Sequence, residues 1–221
     1  MTTQLDLTLD PLEEVGFRNK AEEWIRRHKF LRTTHFNAKE LESLLYIYHK
    51  LQRDTSDPSK NISRFQLSTI FHVVFGMPDS ILMPRIFHVI IGSAASTVPV
   101  TSWIKMMNIF LRGTLEEQID YCFAVYDAQG RGELRRDQMM NLLRKMFFRH
   151  EEEEVEETVK DFVDIILNMM DLDKDGKISK ADFKETVMEK PLMLECFGQC
   201  LPDRAHTYAF LTTFTDRIKR F

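Results

Sequence analysis

The chain has 221 residues, enough to bury an apolar core in one large domain or two small ones. Apolar residues make up 43% and charged residues 29%, and the formal net charge is −4, a balance that is typical of a soluble globular protein and argues against nucleic acid as a main partner. Three cysteines do not form a disulfide framework, and Met1–Gln4 do not begin a secretory signal, so we expect a reducing intracellular compartment.

Two features of the sequence predict that there is no membrane anchor. No apolar run reaches the roughly 18 residues that a membrane-spanning helix requires. Position 2 is Thr, whereas N-myristoylation requires Gly there.

Residues 1–35 form an N-terminal extension with a basic stretch that also carries apolar side chains, Trp24–Leu31. Such a stretch can lie on a partner or on a lipid surface. It can also form an amphipathic helix that packs on the protein's own first lobe, and we favour this second interpretation.

From residue 41 onward, apolar residues recur with the spacing i, i+3, i+4, i+7 that marks one face of an α-helix. Seven such groups predict seven helices, and Phe183 with Val187 predicts a shorter eighth. The groups are Leu41–Tyr48, Leu67–Val74, Met83–Ile90, Trp103–Phe110, Ile119–Tyr126, Met139–Phe147 and Val159–Met170. The intervals are about a dozen residues, the length of an EF-hand loop. Pro84 fits this pattern only in the first turn of its helix.

This spacing predicts an all-α, two-lobed EF-hand protein with four helix-loop-helix units, three of them degenerate. Gly113 separates the lobes, and Thr114 and Glu117 form a capping box that opens the next helix. We therefore divide the chain into an N-terminal extension (1–35), a degenerate N-terminal lobe (36–112), a C-terminal EF-hand lobe (113–190) and a C-terminal tail (191–221).

The tail is too long and too apolar to be simply disordered, and one place for it is the groove of the second lobe. Its apolar residues are Leu192, Leu194, Phe197, Leu201, Tyr208, Phe210, Leu211 and Phe214. The acidic run at residues 151–157, by contrast, is typical of a solvated linker or helix start.

One segment, Asp171–Asp182, fits the EF-hand loop, in which oxygen ligands occupy positions 1, 3, 5, 7, 9 and 12 and Gly occupies position 6. Gly176 holds the sharp turn at position 6, and Ile178 is expected to pair with a neighbouring loop. The predicted ligands are the side chains of Asp171, Asp173, Asp175 and Asp182, the backbone carbonyl of Lys177 and a water held by Ser179. We predict one metal site here, for Ca²⁺ or Mg²⁺.

Asp182 departs from the pattern, which has Glu at position 12. Aspartate is one methylene shorter and reaches the ion with both oxygens only if the exiting helix moves inward. This change should weaken Ca²⁺ relative to Mg²⁺, which prefers six ligands.

The preceding loop, residues 127–138, keeps the EF-hand frame through Asp127 and Gly132. Its positions 3, 5 and 12 are held by Gln129, Arg131 and Gln138. A guanidinium at a ligand position repels a cation, and a neutral amide does not replace a bidentate carboxylate. We expect this loop to bind no metal and to be held by pairing with the loop at Asp171.

The first-lobe loops are also expected to bind no metal. Residues 91–102 have no carboxylate at any ligand position, and the loop within residues 53–64 lacks a central Gly and is interrupted by Pro58. This lobe is predicted to be held together by packing alone.

Nothing in the sequence predicts an enzyme. The seven histidines are scattered without the spacing of a metal site or a catalytic triad. Cys196 and Cys200 are four residues apart but have no further partners for zinc.

Three stretches resemble the calaxin-like proteins, ciliary EF-hand proteins related to the neuronal calcium sensors. Phe110–Glu117 resembles their inter-lobe junction, Phe71–Met77 the segment after their first hand, and Leu194–Asp203 their tail. The resemblance covers about residues 36–205, and the tail is its most discriminating part. Calaxin-like proteins carry more than one competent loop, whereas this chain keeps only the loop at Asp171.

The resemblance implies a cytoplasmic or cytoskeletal protein of the axoneme of cilia or flagella. The implied partners are the outer dynein arm docking complex, the dynein heavy chain and the doublet microtubule. In that place the protein would support dynein attachment and motility, with at most a weak response to Ca²⁺. The alternative is a soluble Ca²⁺ sensor or regulatory subunit of an unrelated target such as a phosphatase or kinase.

Overall fold

The computed structural model describes residues 11–53, 61–78, 81–92, 95–144 and 152–217. Regular structure in these ranges is overwhelmingly helical. The helices are α1 Pro11–Arg27, α2 Phe30–Thr33, α3 Ala38–Arg53, α4 Arg64–Val73, α5 Met83–Ile91, α6 Val100–Arg112, α7 Leu115–Tyr126, α8 Arg136–Arg144, α9 Glu152–Met170, α10 Lys180–Glu189 and α11 Arg204–Thr212, with a 3₁₀ helix at Pro191–Glu195. The strands are β1 Ile62–Ser63, β2 Thr97–Val98, β3 Glu133–Arg135 and β4 Lys177–Ser179.

The eight predicted helices are confirmed as α3 to α10. Pro84 lies in the first turn of α5, where its missing N–H costs little. Thr114 and Glu117 form the predicted capping box of α7, each side chain bonding the other residue's backbone N–H. The predicted face of α8 extended to Phe147, which lies outside the described residues.

The strands pair in two antiparallel sheets of two strands each, β1 with β2 and β3 with β4. Ile62 faces Val98 in the first sheet, and Leu134 faces Ile178 in the second. Each sheet therefore joins the loops of two helix-loop-helix units, and the predicted pairing of Ile178 is confirmed. This all-α arrangement of paired EF-hand units agrees with the predicted fold class.

The chain forms two compact units. The described residues of unit 1 fall within 1–76, 94–112 and 203–221, and those of unit 2 fall within 77–93 and 113–202. Helix α5 thus belongs to unit 2, whereas the predicted boundary after residue 112 assigned it to the N-terminal lobe. The tail is divided at residue 203 between the two units.

In unit 1 the core is built around α3 and α6. The buried Trp103 donates its indole N–H to the Leu44 carbonyl at 3.0 Å. The buried Tyr48 hydroxyl donates to the Val98 carbonyl at 2.8 Å and ties α3 to β2. These bonds satisfy polar groups that would otherwise be costly to bury.

Helix α1 packs on α3 of the same unit through the buried residues Phe17 and Ala21. The Phe17 ring meets the Tyr46 ring edge-on, with 5.3 Å between the centroids. The favoured interpretation of the N-terminal extension, a helix packed on its own lobe, is therefore observed for residues 11–27. Residues 1–10 lie outside the described part of the chain.

Helix α11 also packs in unit 1. Its Phe210 ring lies 5.3 Å from the Phe75 ring, and Leu211 is buried. The tail was suggested to lie in the groove of the second lobe. For α11, which forms part of the tail after residue 203, this is wrong, because α11 packs its apolar side chains on unit 1.

Unit 2 holds the other half of the tail. The buried Tyr126 hydroxyl donates to the Gly198 carbonyl at 2.8 Å, and the Tyr126 ring meets the Phe197 ring edge-on at 5.3 Å. Helix α5 packs on α7, where Arg85 donates to the Tyr126 carbonyl at 3.0 Å. Among the described residues, no helix is both long and apolar enough to cross a membrane.

Candidate metal centre

The loop that carries the predicted ligands lies between α9, which ends at Met170, and α10, which begins at Lys180. Strand β4 occupies the second half of the loop and is paired with β3 of the neighbouring loop. This pairing buries Ile178 and Leu134 opposite each other. The loop is thereby anchored at both helix ends and at its centre, which holds the ligand positions in place before any ion arrives.

The structure brings three of the predicted ligands together. The carboxylates of Asp171, Asp173 and Asp175 each have an oxygen within 4.8 Å of the others, and this is the single group of metal-binding side chains found among the described residues. Asp171 is buried, whereas Asp173 and Asp175 are exposed. Carboxylate oxygens are the ligands that Ca²⁺ and Mg²⁺ prefer.

Backbone N–H groups shape the loop around these carboxylates. Asp171 accepts from the Asp175 N–H through Oδ1 at 3.1 Å and from the Gly176 N–H through Oδ2 at 2.9 Å. Gly176 has φ of +83°, a left-handed conformation that a residue with a β-carbon adopts only at a cost. The turn therefore depends on Gly176 and is held by the first ligand of the loop.

The Lys177 side chain forms ion pairs and is not expected to bind the metal. Its ammonium lies 3.2 Å from Glu133 and 3.6 Å from Asp175. The hydrogen bond to Glu133 raises the pKa of Lys177, and bonds from Arg135 and Lys177 lower the pKa of Glu133. Only the backbone carbonyl of Lys177 remains to serve as the ligand at position 7.

Ser179 and Asp182 form the capping box of α10. The Asp182 N–H donates to Ser179 Oγ at 3.1 Å, and the Ser179 N–H donates to Asp182 Oδ2 at 3.0 Å. Asp182 is buried but is not a member of the three-carboxylate group. Its bond to Ser179 engages one oxygen and leaves the other for the loop.

This donor set fits a hard divalent cation. Asp171, Asp173 and Asp175 would hold the ion through carboxylate oxygens, Lys177 through its carbonyl, and Ser179 and Asp182 would complete the shell. The ion would supply the positive charge that offsets repulsion among carboxylates held this close together.

The neighbouring loop keeps its shape by other means. Asp127 Oδ2 accepts from the Gly132 N–H at 2.7 Å, and Gln138 Oε1 accepts from the Arg135 N–H at 2.9 Å. Gln138 thus caps α8 as a carboxylate would, without the charge. Gln129 and Arg131 at positions 3 and 5 are exposed. The EF-hand frame therefore persists here, but among the positions that supply side-chain ligands only the first carries a carboxylate, Asp127.

The first-lobe loops contain parts outside the described residues, at 54–60 and 93–94, so Pro58 is not described. In the described part, Ser63 and Gln66 form the capping box of α4, and Gln66 donates to the Leu51 carbonyl at 3.0 Å. Hydrogen bonds between uncharged groups thus hold the end of this loop. Together with the buried ion pair of Glu40 and Arg112, they show that the first lobe is not held by packing alone.

Sequence reasoning missed the role of Glu133. Glu133 and Lys177 stand at the same position, the seventh, of the two paired loops. A signal was available in the sequence. Leu134 and Ile178, the eighth residues of the two loops, pair in the antiparallel sheet, so the seventh residues are diagonal neighbours on one face, where long side chains of opposite charge can meet.

Comparison with known proteins agrees with this geometry. Residues 116–188 match the EF-hand domain pair family. The chain is 42% identical to calaxin of Xenopus laevis over 179 residues, which cover 80% of this chain and 86% of that protein. It is 38% identical to human calaxin over 172 residues, covering 76% and 82% of the two chains.

The chain belongs to the calaxin family. A more distant similarity extends to a protein not named as a calaxin, the calcium-binding protein NCSA of Dictyostelium discoideum, at 29% identity over 115 residues, 52% of this chain and 59% of that protein. The family resemblance that the sequence suggested is confirmed. The chain is accordingly a calcium-binding EF-hand protein of the calaxin type.

Proposed function

We propose that this protein is an EF-hand subunit of the outer dynein arm docking machinery on the axoneme of cilia or flagella. The observation that carries the proposal is the 42% sequence identity between this chain and a calaxin over 80% of the chain. Its partners would be docking-complex proteins, the dynein heavy chain and the doublet microtubule. Its role would be to support dynein attachment and so motility.

The proposed action is binding, not catalysis. The carboxylate group at Asp171 has the chemistry of an ion-binding loop, and the two units offer helical surfaces to a partner. The ion would adjust this binding weakly, because one loop of four keeps a full set of oxygen ligands. The protein would then act as a constitutive dock with a modest Ca²⁺ or Mg²⁺ response.

Fractionation of ciliated cells or sperm tests this function. We expect the protein to co-sediment with axonemes after detergent has removed the membrane and a chelator has removed Ca²⁺, and to leave with the outer arms at high salt. A matched sample in Ca²⁺ serves as the control, and the two should retain the protein within about twofold, because binding does not require the ion.

A soluble protein in both samples would contradict the axonemal proposal. Retention in Ca²⁺ alone would instead favour the second candidate, a Ca²⁺ sensor or regulatory subunit of another target. The similarity to NCSA, whose name describes a calcium-binding protein, supports the Ca²⁺ sensor as the second candidate function.

A further inference from the structure

A row of large apolar side chains lies exposed along α9 and continues into the metal loop. Ile165 is 54% exposed, Met169 37% and Leu172 47%, and Phe162, 43% exposed, lies on the same side one turn earlier. We call Phe162, Ile165, Met169 and Leu172 the α9 stripe. The sequence pattern had placed Phe162 on the buried face, and the structure corrects this.

The stripe is distinct from the buried face of the same helix. The residues that α9 buries are Val155, Val159, Val163, Ile166, Leu167 and Met170. Successive residues of an α-helix are separated by about 100°, so Phe162, Ile165 and Met169 fall together beside that face. Single exposed apolar residues are ordinary, but a contiguous row is typical of an interaction surface.

The charge around the α9 stripe is strongly negative. The sequence of α9 contains seven acidic residues and one lysine. Two of its carboxylates meet cations of α8, Glu156 with Arg144 and Asp164 with Arg136. Glu157 and Asp161 are exposed and have no ion pair among the described residues.

We propose that the α9 stripe binds a basic amphipathic helix of a partner protein. A helix with apolar residues at i, i+3 or i+4 and i+7 matches a stripe that runs about 10 Å from Phe162 to Met169. Lysine or arginine beside that face would meet Glu157 and Asp161. Nucleic acid and anionic lipid are disfavoured, because their phosphates meet the same negative field.

Phe162, Ile165 and Met169 lie in α9 outside the metal loop, whereas Leu172 lies between two of the loop's ligands. The inference does not rest on the axonemal proposal, since it concerns the chemistry of the partner and not its location. Binding is therefore measured on the full chain in chelator, where a failure says nothing about Ca²⁺ binding or about axonemes.

The probe is a peptide of about 18 leucines and lysines, with the leucines on one helical face, compared with a peptide of the same composition whose leucines are dispersed. Affinities are measured by fluorescence anisotropy at about 0.15 M salt. We expect the amphipathic peptide to bind at least about tenfold tighter than the dispersed one, because only it covers the stripe.

The decisive variant is Ile165→Ser/Met169→Ser, and its matched control is Phe65→Ser/Val73→Ser, which removes two exposed apolar side chains from α4. We expect the first to weaken peptide binding about tenfold or more and the control by less than about twofold, because buried anchors dominate such interfaces. Equal effects of the two variants would overturn the proposal.

A second pair of variants tests whether the acidic residues beside the α9 stripe contribute to peptide binding. Glu157→Gln/Asp161→Asn should weaken binding several-fold and flatten its salt dependence, whereas Glu22→Gln/Glu23→Gln, which removes equal charge from the exposed face of α1, should change neither. Identical salt dependence in all proteins would contradict the assignment. So would a dimer in sedimentation that Ile165→Ser/Met169→Ser dissolves, since the stripe would then serve a second copy of this chain.

Discussion

At the scale of single residues, the affinity and the ion preference of the metal loop depend on Asp182. Its carboxylate already accepts the Ser179 N–H at 3.0 Å, and it stands outside the group formed by Asp171, Asp173 and Asp175. Its side chain is one methylene shorter than Glu. To offer both oxygens to an ion, the first turn of α10 would have to move, and that movement would disturb its capping box.

We therefore expect Asp182→Glu to tighten Ca²⁺ binding by about tenfold, because one more ligand oxygen becomes available without moving α10. Mg²⁺ affinity should change less, since Mg²⁺ prefers six ligands. Isothermal titration calorimetry with each ion measures both effects. Asp137→Glu, the same change at an exposed non-ligand position of the neighbouring loop, is the control and should leave the affinities unaltered.

At the scale of elements, a buried ion pair joins α3, α6 and the end of the chain within unit 1. Arg112 donates to Glu40 at 2.6 Å, and both side chains are 2% exposed. Thr215 donates to the same carboxylate at 2.9 Å, and Arg112 also donates to the Arg217 carbonyl. The residues after α11 are therefore held to unit 1 by polar contacts as well as by packing.

Arg112→Met should lower the free energy of unfolding of unit 1 by about 3 kcal/mol, because it removes the cation 2.6 Å from the buried Glu40 carboxylate and leaves Arg217, which is 3.7 Å away and more exposed. The protein's two tryptophans, Trp24 and Trp103, both lie in unit 1, so their fluorescence during denaturation in urea reports this unit. Arg53→Met removes an exposed ion pair with Glu13 and should cost less than about 1 kcal/mol. Equal losses of unfolding free energy in the two variants would mean that the buried ion pair stabilises unit 1 no more than the exposed one.

Glu40 also makes the stability of unit 1 depend on pH. Burial opposes ionisation, but hydrogen bonds from the Asn37 N–H, Thr215 and Arg112, with the charge of Arg112, outweigh it and lower the pKa of Glu40. The unfolded chain therefore binds a proton more readily than the folded one. The stabilisation is complete above the usual pKa of Glu, about 4.3, and is lost as the pH falls through the lowered value.

Urea denaturation from neutral pH to below this window checks the effect. The wild type should lose stability on acidification more steeply than Glu40→Gln, which keeps the bond to the Asn37 N–H but cannot titrate. Parallel pH profiles for the two proteins would show that another group controls the acid transition.

At the scale of the whole molecule, one loop of four carries a full set of oxygen ligands in the sequence. Its neighbour across the β3–β4 sheet has Gln and Arg at ligand positions, so the two loops do not offer a matched pair of sites. Cooperative binding requires two sites that influence each other. The response to Ca²⁺ should accordingly be gradual.

Titration of the full chain should give one site and a Hill coefficient of about 1, because no second site is coupled to the first. Asp171→Ala should abolish the heat of binding, since Asp171 supplies the buried first ligand. Asp137→Ala, which removes an exposed acid from the paired loop, should bind as the wild type does. Two strong sites in the wild type would contradict this expectation.

Most helices of this protein and the ligand set of its metal loop could be predicted from local sequence patterns. Apolar spacing predicted α3 to α10, because helix formation and amphipathicity are expressed within a few turns. Likewise, the ligand set at Asp171 lies within twelve consecutive residues, and the short loop brings its first three carboxylates together. The capping box at Thr114 is equally local, since its two side chains are three residues apart.

Other features were decided only by tertiary structure, because they join residues far apart in the chain. Arg112 and Glu40 are separated by 72 positions, as are Tyr126 and Gly198, and no short-range pattern specifies such pairs. The exposure of the α9 stripe is a similar case. When a helix carries more apolar residues than its neighbours can cover, periodicity identifies the apolar positions, but only the packing of distant elements determines which of them are buried.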